Sequence, residues 1–144
     1  MKRDFLHVML IRASASHKKR SRQNFQRLNL TEGQPKVLSI LRGMEGCQQK
    51  ELAKACRVEP ATMTSLLKNM EQSGLVTKET AQTPTGKRAN SIYLTDYGRQ
   101  IACEVMNVIE ELELKAFQNF TSEEKETFLQ LFAKVTENLE NIQE

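Results

Sequence analysis

Pro60 and Gly74 mark the two ends of one helix, and that helix constrains what the rest of the chain can become. Proline is pre-set for the first helical position, where its missing N–H costs nothing. Glycine readily takes the left-handed conformation that terminates many helices. Between the two, Met63, Leu66, Leu67 and Met70 recur at the spacing of a single buried stripe. Just upstream, residues 48–55 read as a short helix and Cys56-Arg57-Val58 as a tight turn. Ala53 is small where two helices must approach closely, and Arg57 stands where many such turns place glycine, so this turn must accommodate a side chain. Downstream, Leu75-Val76 begins a strand. A polar loop with Pro84, Gly86, Lys87 and Arg88 follows, and Ser91-Ile92-Tyr93-Leu94 returns.

The flanks are helical. Residues 4–26 place Phe5, Leu6, Met9, Leu10 and Ala13 on one stripe. Thr31 with Gln34 three residues on is a capping-box pattern, opening a helix that turns Val37, Leu38, Ile40 and Leu41 inward and stops near Gly43. Thr95 caps a long helix bearing Ile101, Val105, Val108, Ile109, Leu112 and Phe117. Thr121 and Glu124 form a second capping-box pattern before the stripe Phe128, Leu131, Phe132, Val135, Leu139 and Ile142. Helix, helix, turn, helix, strand, charged loop, strand is the order of a winged helix-turn-helix. The predicted fold is mainly α with a small antiparallel β-hairpin wing. It forms a single domain over 1–144, with a winged core at about 31–95. The helices at about 4–26 and 96–142 carry more apolar surface than that core can cover, which predicts a homodimer built on them.

At 144 residues the chain can bury a core. No apolar run approaches the roughly 20 residues a membrane span needs. The basic and apolar start is broken by Arg12 and followed by "HKKRSR", which is not a cleavable leader, so a cytoplasmic protein is expected. Charge is graded: eight Lys/Arg oppose one acid in residues 1–30, whereas four oppose ten in residues 99–144. Such asymmetry suits a polyanion on one face only. The basic stretch 18–22 fits either a place near that polyanion or a solvated surface. Cys47, Cys56 and Cys103 are too widely spaced for a disulfide framework or a metal site and read as apolar fillers or surface thiols. His7 and His17 read as helix-surface residues. No nucleophile–base set, paired carboxylates or phosphate-cradling loop is present. The chain is therefore not expected to be an enzyme, nor to need a metal or cofactor.

The second helix of a helix-turn-helix enters the major groove with its N-terminal part toward the bases. Its outward residues here are Ala61, Thr62, Thr64, Ser65, Lys68 and Asn69, able to meet base edges, thymine methyls or phosphates. The blander reading is the wet side of an amphipathic helix. A hairpin tip beside that helix can reach the minor groove, whose potential attracts an inserted arginine. Arg88 is placed for that role, with Lys87 on a phosphate; a solubilising, mobile hairpin is the alternative. A winged helix used only as a protein-interaction module is the rival function, because fold does not fix function.

The stretches "LTEGQPKVLSIL", "QKELAKACRVEPATMTSLLKNMEQSGLVTKE" and "GKRANSIYLTDYG" resemble the MarR (multiple antibiotic resistance) family of transcriptional regulators, in order and spacing over nearly the whole length. The resemblance implies a homodimer on a pseudo-palindromic operator in double-stranded DNA, usually a repressor and often released by a small-molecule effector. It carries DNA contacts onto Thr62, Thr64, Ser65, Lys68 and Asn69, and onto Arg88 in the wing. There are two departures. Gly86 stands where family wings commonly have an acid two residues before that arginine. Lys78 stands where many members have an arginine, so a forked, bidentate hold is lost there.

Overall fold

The computed structural model describes residues 5–143. Six helices and one hairpin follow in the order α1 (Leu6–Arg27), α2 (Gln34–Leu41), α3 (Gln49–Ala55), α4 (Pro60–Gln72), β1 (Val76–Gln82), β2 (Arg88–Leu94), α5 (Asp96–Ala116) and α6 (Ser122–Glu140). This is a winged helix-turn-helix with long flanking helices. Residue 4, the expected start of the first helix, lies outside the described residues.

The described residues form two compact units, one ending at Glu110 and one beginning at Glu111. In the first, Val37, Leu38 and Leu41 of α2, Leu52 of α3, and Met63, Leu67 and Met70 of α4 are fully buried with Val76, Ile92 and Val105. Ala53 is buried where α3 nears α4, as close helix packing requires. The turn after α3 does tolerate its arginine: Arg57 takes a left-handed φ of 56°. Val58 N–H reaches back to the Ala53 carbonyl at 3.0 Å, closing the turn six residues to one.

Two boundaries and one pairing differ from the pattern in the sequence. Thr31 does not cap α2. The helix starts at Gln34 behind Gly33, which adopts φ 89°, and Pro35 sits within the first two helical positions where proline belongs. Half of the box survives, because Gln34 Oε1 accepts the Thr31 N–H at 3.0 Å. β2 begins at Arg88 rather than Ser91, since Gln82 pairs with Arg88 and Thr80 Oγ1 donates to Asn90 Oδ1 at 2.8 Å. Finally, the loop after α2 adds to the hairpin: Gly46 N–H bonds the Ile92 carbonyl at 2.8 Å, and Ile92 N–H bonds the Cys47 carbonyl at 2.9 Å.

The start of α5 is locked from several sides. Thr95 Oγ1 accepts the Gly98 N–H at 2.9 Å and donates to the Gly74 carbonyl, so the cap of α5 also holds the end of α4. Gly98 lies against β1's approach so tightly that a Cβ there would sit 1.9 Å from the Leu75 carbonyl oxygen. Glu45, in the loop after α2, accepts the Leu94 N–H at 2.9 Å and the Arg99 guanidinium at 3.0 Å. Arg99 also pairs with Asp96 at 3.0 Å.

In the second unit the Thr121–Glu124 box forms as expected, with bonds of 2.9 and 3.0 Å. Phe117 packs edge-on against Phe120 and Phe128, at centroid distances of 5.3 and 5.8 Å. Lys125 lies over the Phe117 ring and pairs with Glu113 at 3.2 Å. No residue of α6 is buried.

Candidate nucleic-acid interface

The stripe that buries Met63, Leu67 and Met70 turns the opposite side of α4 outward. Ala61, Thr62, Thr64, Ser65, Lys68 and Asn69 are all exposed on it. The sequence pattern placed these residues together and the fold keeps them together. Their availability differs. The side chains of Thr62, Lys68 and Asn69 have no hydrogen-bond or ionic partner among the described residues. Ser65 Oγ donates back to the Ala61 carbonyl at 3.3 Å, a local bond that serine often makes inside helices. Thr64 Oγ1 donates to the Pro60 carbonyl at 3.0 Å and accepts from Gln49 Nε2 at 2.8 Å. Gln49 thus supports this face from α3, and nothing in the sequence singles it out: its partner lies on another helix and both are polar.

The hairpin projects beyond the core. Side chains alternate across a strand, so Arg88 and Asn90 share a face with Ile92 and Leu94, and the paired Lys78, Thr80 and Gln82 share it with Val76. This is the face that packs on the helices at the hairpin's base. Lys78 is half-buried opposite Ile92, whereas Lys87 and Arg88 are exposed. Arg88 is thus the first residue of a strand rather than part of the loop, and Lys87 alone of the two stays in the turn. That turn is built by Thr83, whose carbonyl accepts the Gly86 N–H at 2.9 Å and whose N–H bonds the Lys87 carbonyl at 2.7 Å; Gly86 adopts φ 82°. Residues 80–95 contain no acid, and among the described residues neither Lys87 nor Arg88 has an ionic partner.

The basic stretch of α1 is partly neutralised. Glu32 pairs with Lys18 and, at 3.6 Å, with Arg22. The Lys18 hydrogen bond, then the Lys18 and Arg22 charges, hold the Glu32 carboxyl below its usual range. Beside this pair lies a groove of about 800 Å³ whose lining includes His17, Arg22, Phe25, Leu30, Lys36 and Ile109. Burial pushes the Cys56 thiol up, and the Cys47 thiol likewise. Cys56 is a core filler and Cys103 is on the surface, matching the plain readings of both. Among the described residues no group of His, Cys, Asp and Glu could hold a metal ion, and no helix is long and apolar enough to cross a membrane.

A sequence model of the MarR family matches residues 30–83. The transcriptional regulator HosA of Escherichia coli O111:H- is 29% identical over 107 residues, which is 74% of this chain and 78% of HosA. Among solved structures, that of MarR superimposes with a TM-score of 0.80 at 28% identity, covering 96% of this chain and 94% of MarR. A putative MarR family transcriptional regulator from Listeria monocytogenes, complexed with 26mer DNA, superimposes with a TM-score of 0.82 at 26% identity. That match covers 96% of this chain and 90% of the other.

Proposed function

This chain belongs to the MarR family of transcriptional regulators, which are not enzymes, and on that premise we propose that it works in the cytoplasm as a homodimeric repressor binding a pseudo-palindromic DNA operator. α4 enters the major groove, with Thr62, Thr64, Ser65, Lys68 and Asn69 toward bases and phosphates. The hairpin lies along the backbone, with Lys78 and Lys87 on phosphates and Arg88 reaching the minor groove. The observation that carries this reading is the pairing of an exposed polar helix face with a hairpin whose cations have no ionic partner among the described residues. Such cations next to a groove-sized helix are suited to a polyanion with grooves. Position 86 holds no acid that could orient Arg88, and what fixes Arg88 is its backbone pairing with Gln82.

Dimerisation is supported by uncovered apolar surface. Phe5, Met9 and Ile11 on or beside α1, and Leu131 and Leu139 on α6, are each more than half exposed in the single chain. Exposed patches of this kind mark association surfaces. With all of residues 1–144 acting as one unit, a two-fold dimer would set its α4 helices on half-sites roughly 34–36 Å apart. Release by a small-molecule effector is supported by the groove beside α1 and α2, large enough for a small molecule. Glu32 already holds Lys18 and Arg22 there, so Phe25, Leu30 and Ile109 suit it to a largely apolar one.

Footprinting the purified protein on the DNA flanking its own gene tests the proposal. A protected two-fold site, occupied more weakly by Arg88→Ala, is the expected result. Protection nowhere, with association only to other proteins, would favour a docking module instead.

A further inference from the structure

Thr64 sits on the exposed face of α4, yet its hydroxyl is already committed. Oγ1 donates to the Pro60 carbonyl at 3.0 Å. A carbonyl can only accept, so the single hydroxyl proton is used there. Gln49 Nε2, from the first turn of α3, lies 2.8 Å from the same oxygen. That oxygen must therefore accept from Gln49, and only the NH₂ side of the amide can donate. A threonine in a helix ordinarily divides between two rotamers, because either lets the hydroxyl find a nearby carbonyl. The Gln49 bond selects one of them. With its proton spent, Thr64 can no longer donate to an outside partner; it keeps its methyl group and one acceptor lone pair. By contrast, the Thr62 hydroxyl has no partner among the described residues.

In the major groove an apolar group finds a matching feature on one base only, the C5-methyl of thymine. We infer that Thr64 reads a thymine methyl, and that Gln49, without touching DNA, is the positioning residue that turns this methyl outward. The inference rests on the DNA-binding reading above and names one base that reading leaves open.

The test uses a duplex selected by the protein from a random pool, with deoxyuridine replacing thymine one position at a time. Wild type should show one thymine per half-site whose lost methyl weakens binding roughly three- to tenfold, the scale of one buried methyl. Thr64→Val should keep that discrimination and Thr64→Ser should lose it. Gln49→Ala removes the bond altogether, so the Thr64 side chain can take its other rotamer. Its ratio of thymine to deoxyuridine affinity should fall toward one while its thermal midpoint is unchanged. Gln49→Glu, which can still hold Oγ1 by accepting its proton, should keep the ratio. Discrimination kept by Thr64→Ser, or sensitivity at no thymine, would overturn the inference; a full ratio in Gln49→Ala would overturn the role of Gln49. A wild-type protein that selects no sequence at all would instead overturn the DNA-binding reading, and this inference with it.

Discussion

Gly98 shows how tightly a single residue can be specified. Its backbone approaches Leu75 so closely that any Cβ collides with a carbonyl that also accepts the Thr95 N–H. Gly98→Ala should destabilise the protein by about 1–3 kcal/mol, the range of overpacked sites. Urea unfolding would show it as a lower midpoint at unchanged slope; an unchanged midpoint would mean the helix and strand are not held this close. The cysteines allow a second check. Burial raises the Cys56 thiol and Cys103 is exposed, so at neutral pH a thiol reagent should label Cys103 first and Cys56 only on unfolding. Labelling of both at one rate would contradict the packing. Residues of this kind differ in legibility. The bracketing of α4 by Pro60 and Gly74 could be read because it is local backbone chemistry. The Gln49–Thr64 bond could not, because nothing in either polar residue points to the other.

Elements were legible wherever an apolar stripe recurs and blurred wherever none does. α4 and α5 show a clean period, and their observed limits match it. The outer hairpin does not: Thr80, Ala81, Gln82, Arg88, Ala89 and Asn90 are polar or small, with no alternation to read, yet they pair. Their pairing came from the turn at Thr83–Gly86, not from hydrophobicity. Equally hidden was the strut at Glu45, which joins the loop after α2 to β2 and α5 across about fifty residues of sequence. Glu45→Ala leaves the Leu94 N–H and Arg99 without their shared acceptor. It should cost about 1 kcal/mol, the worth of a charge-assisted bond reduced by its exposure, and should speed hydrogen exchange at Leu94; protected exchange there would sink it. The Lys18–Glu32 tie has a pH signature. A carboxyl held low when folded stabilises above its unfolded value, and that contribution is lost as pH falls through the lowered one. Wild type and Glu32→Gln should therefore differ slightly at neutral pH and converge in acid.

For the whole molecule, the proposed dimer would cover Leu131 and Leu139, each more than half exposed in the single chain, and two half-sites would need two copies of α4. Leu131→Glu should therefore shift the protein toward monomer and weaken operator binding at the same time, read by sedimentation and by anisotropy on one sample. In the proposed complex a dimer holds duplex DNA through several phosphate contacts as well as base edges. Operator affinity as a function of salt, with the number of chains bound counted, tests this. Two chains should bind each site, and log affinity should fall steeply with log salt, by about 0.9 per phosphate neutralised, with a shallower slope for Arg88→Ala. A flat salt response, or one chain per duplex, would rule such a complex out.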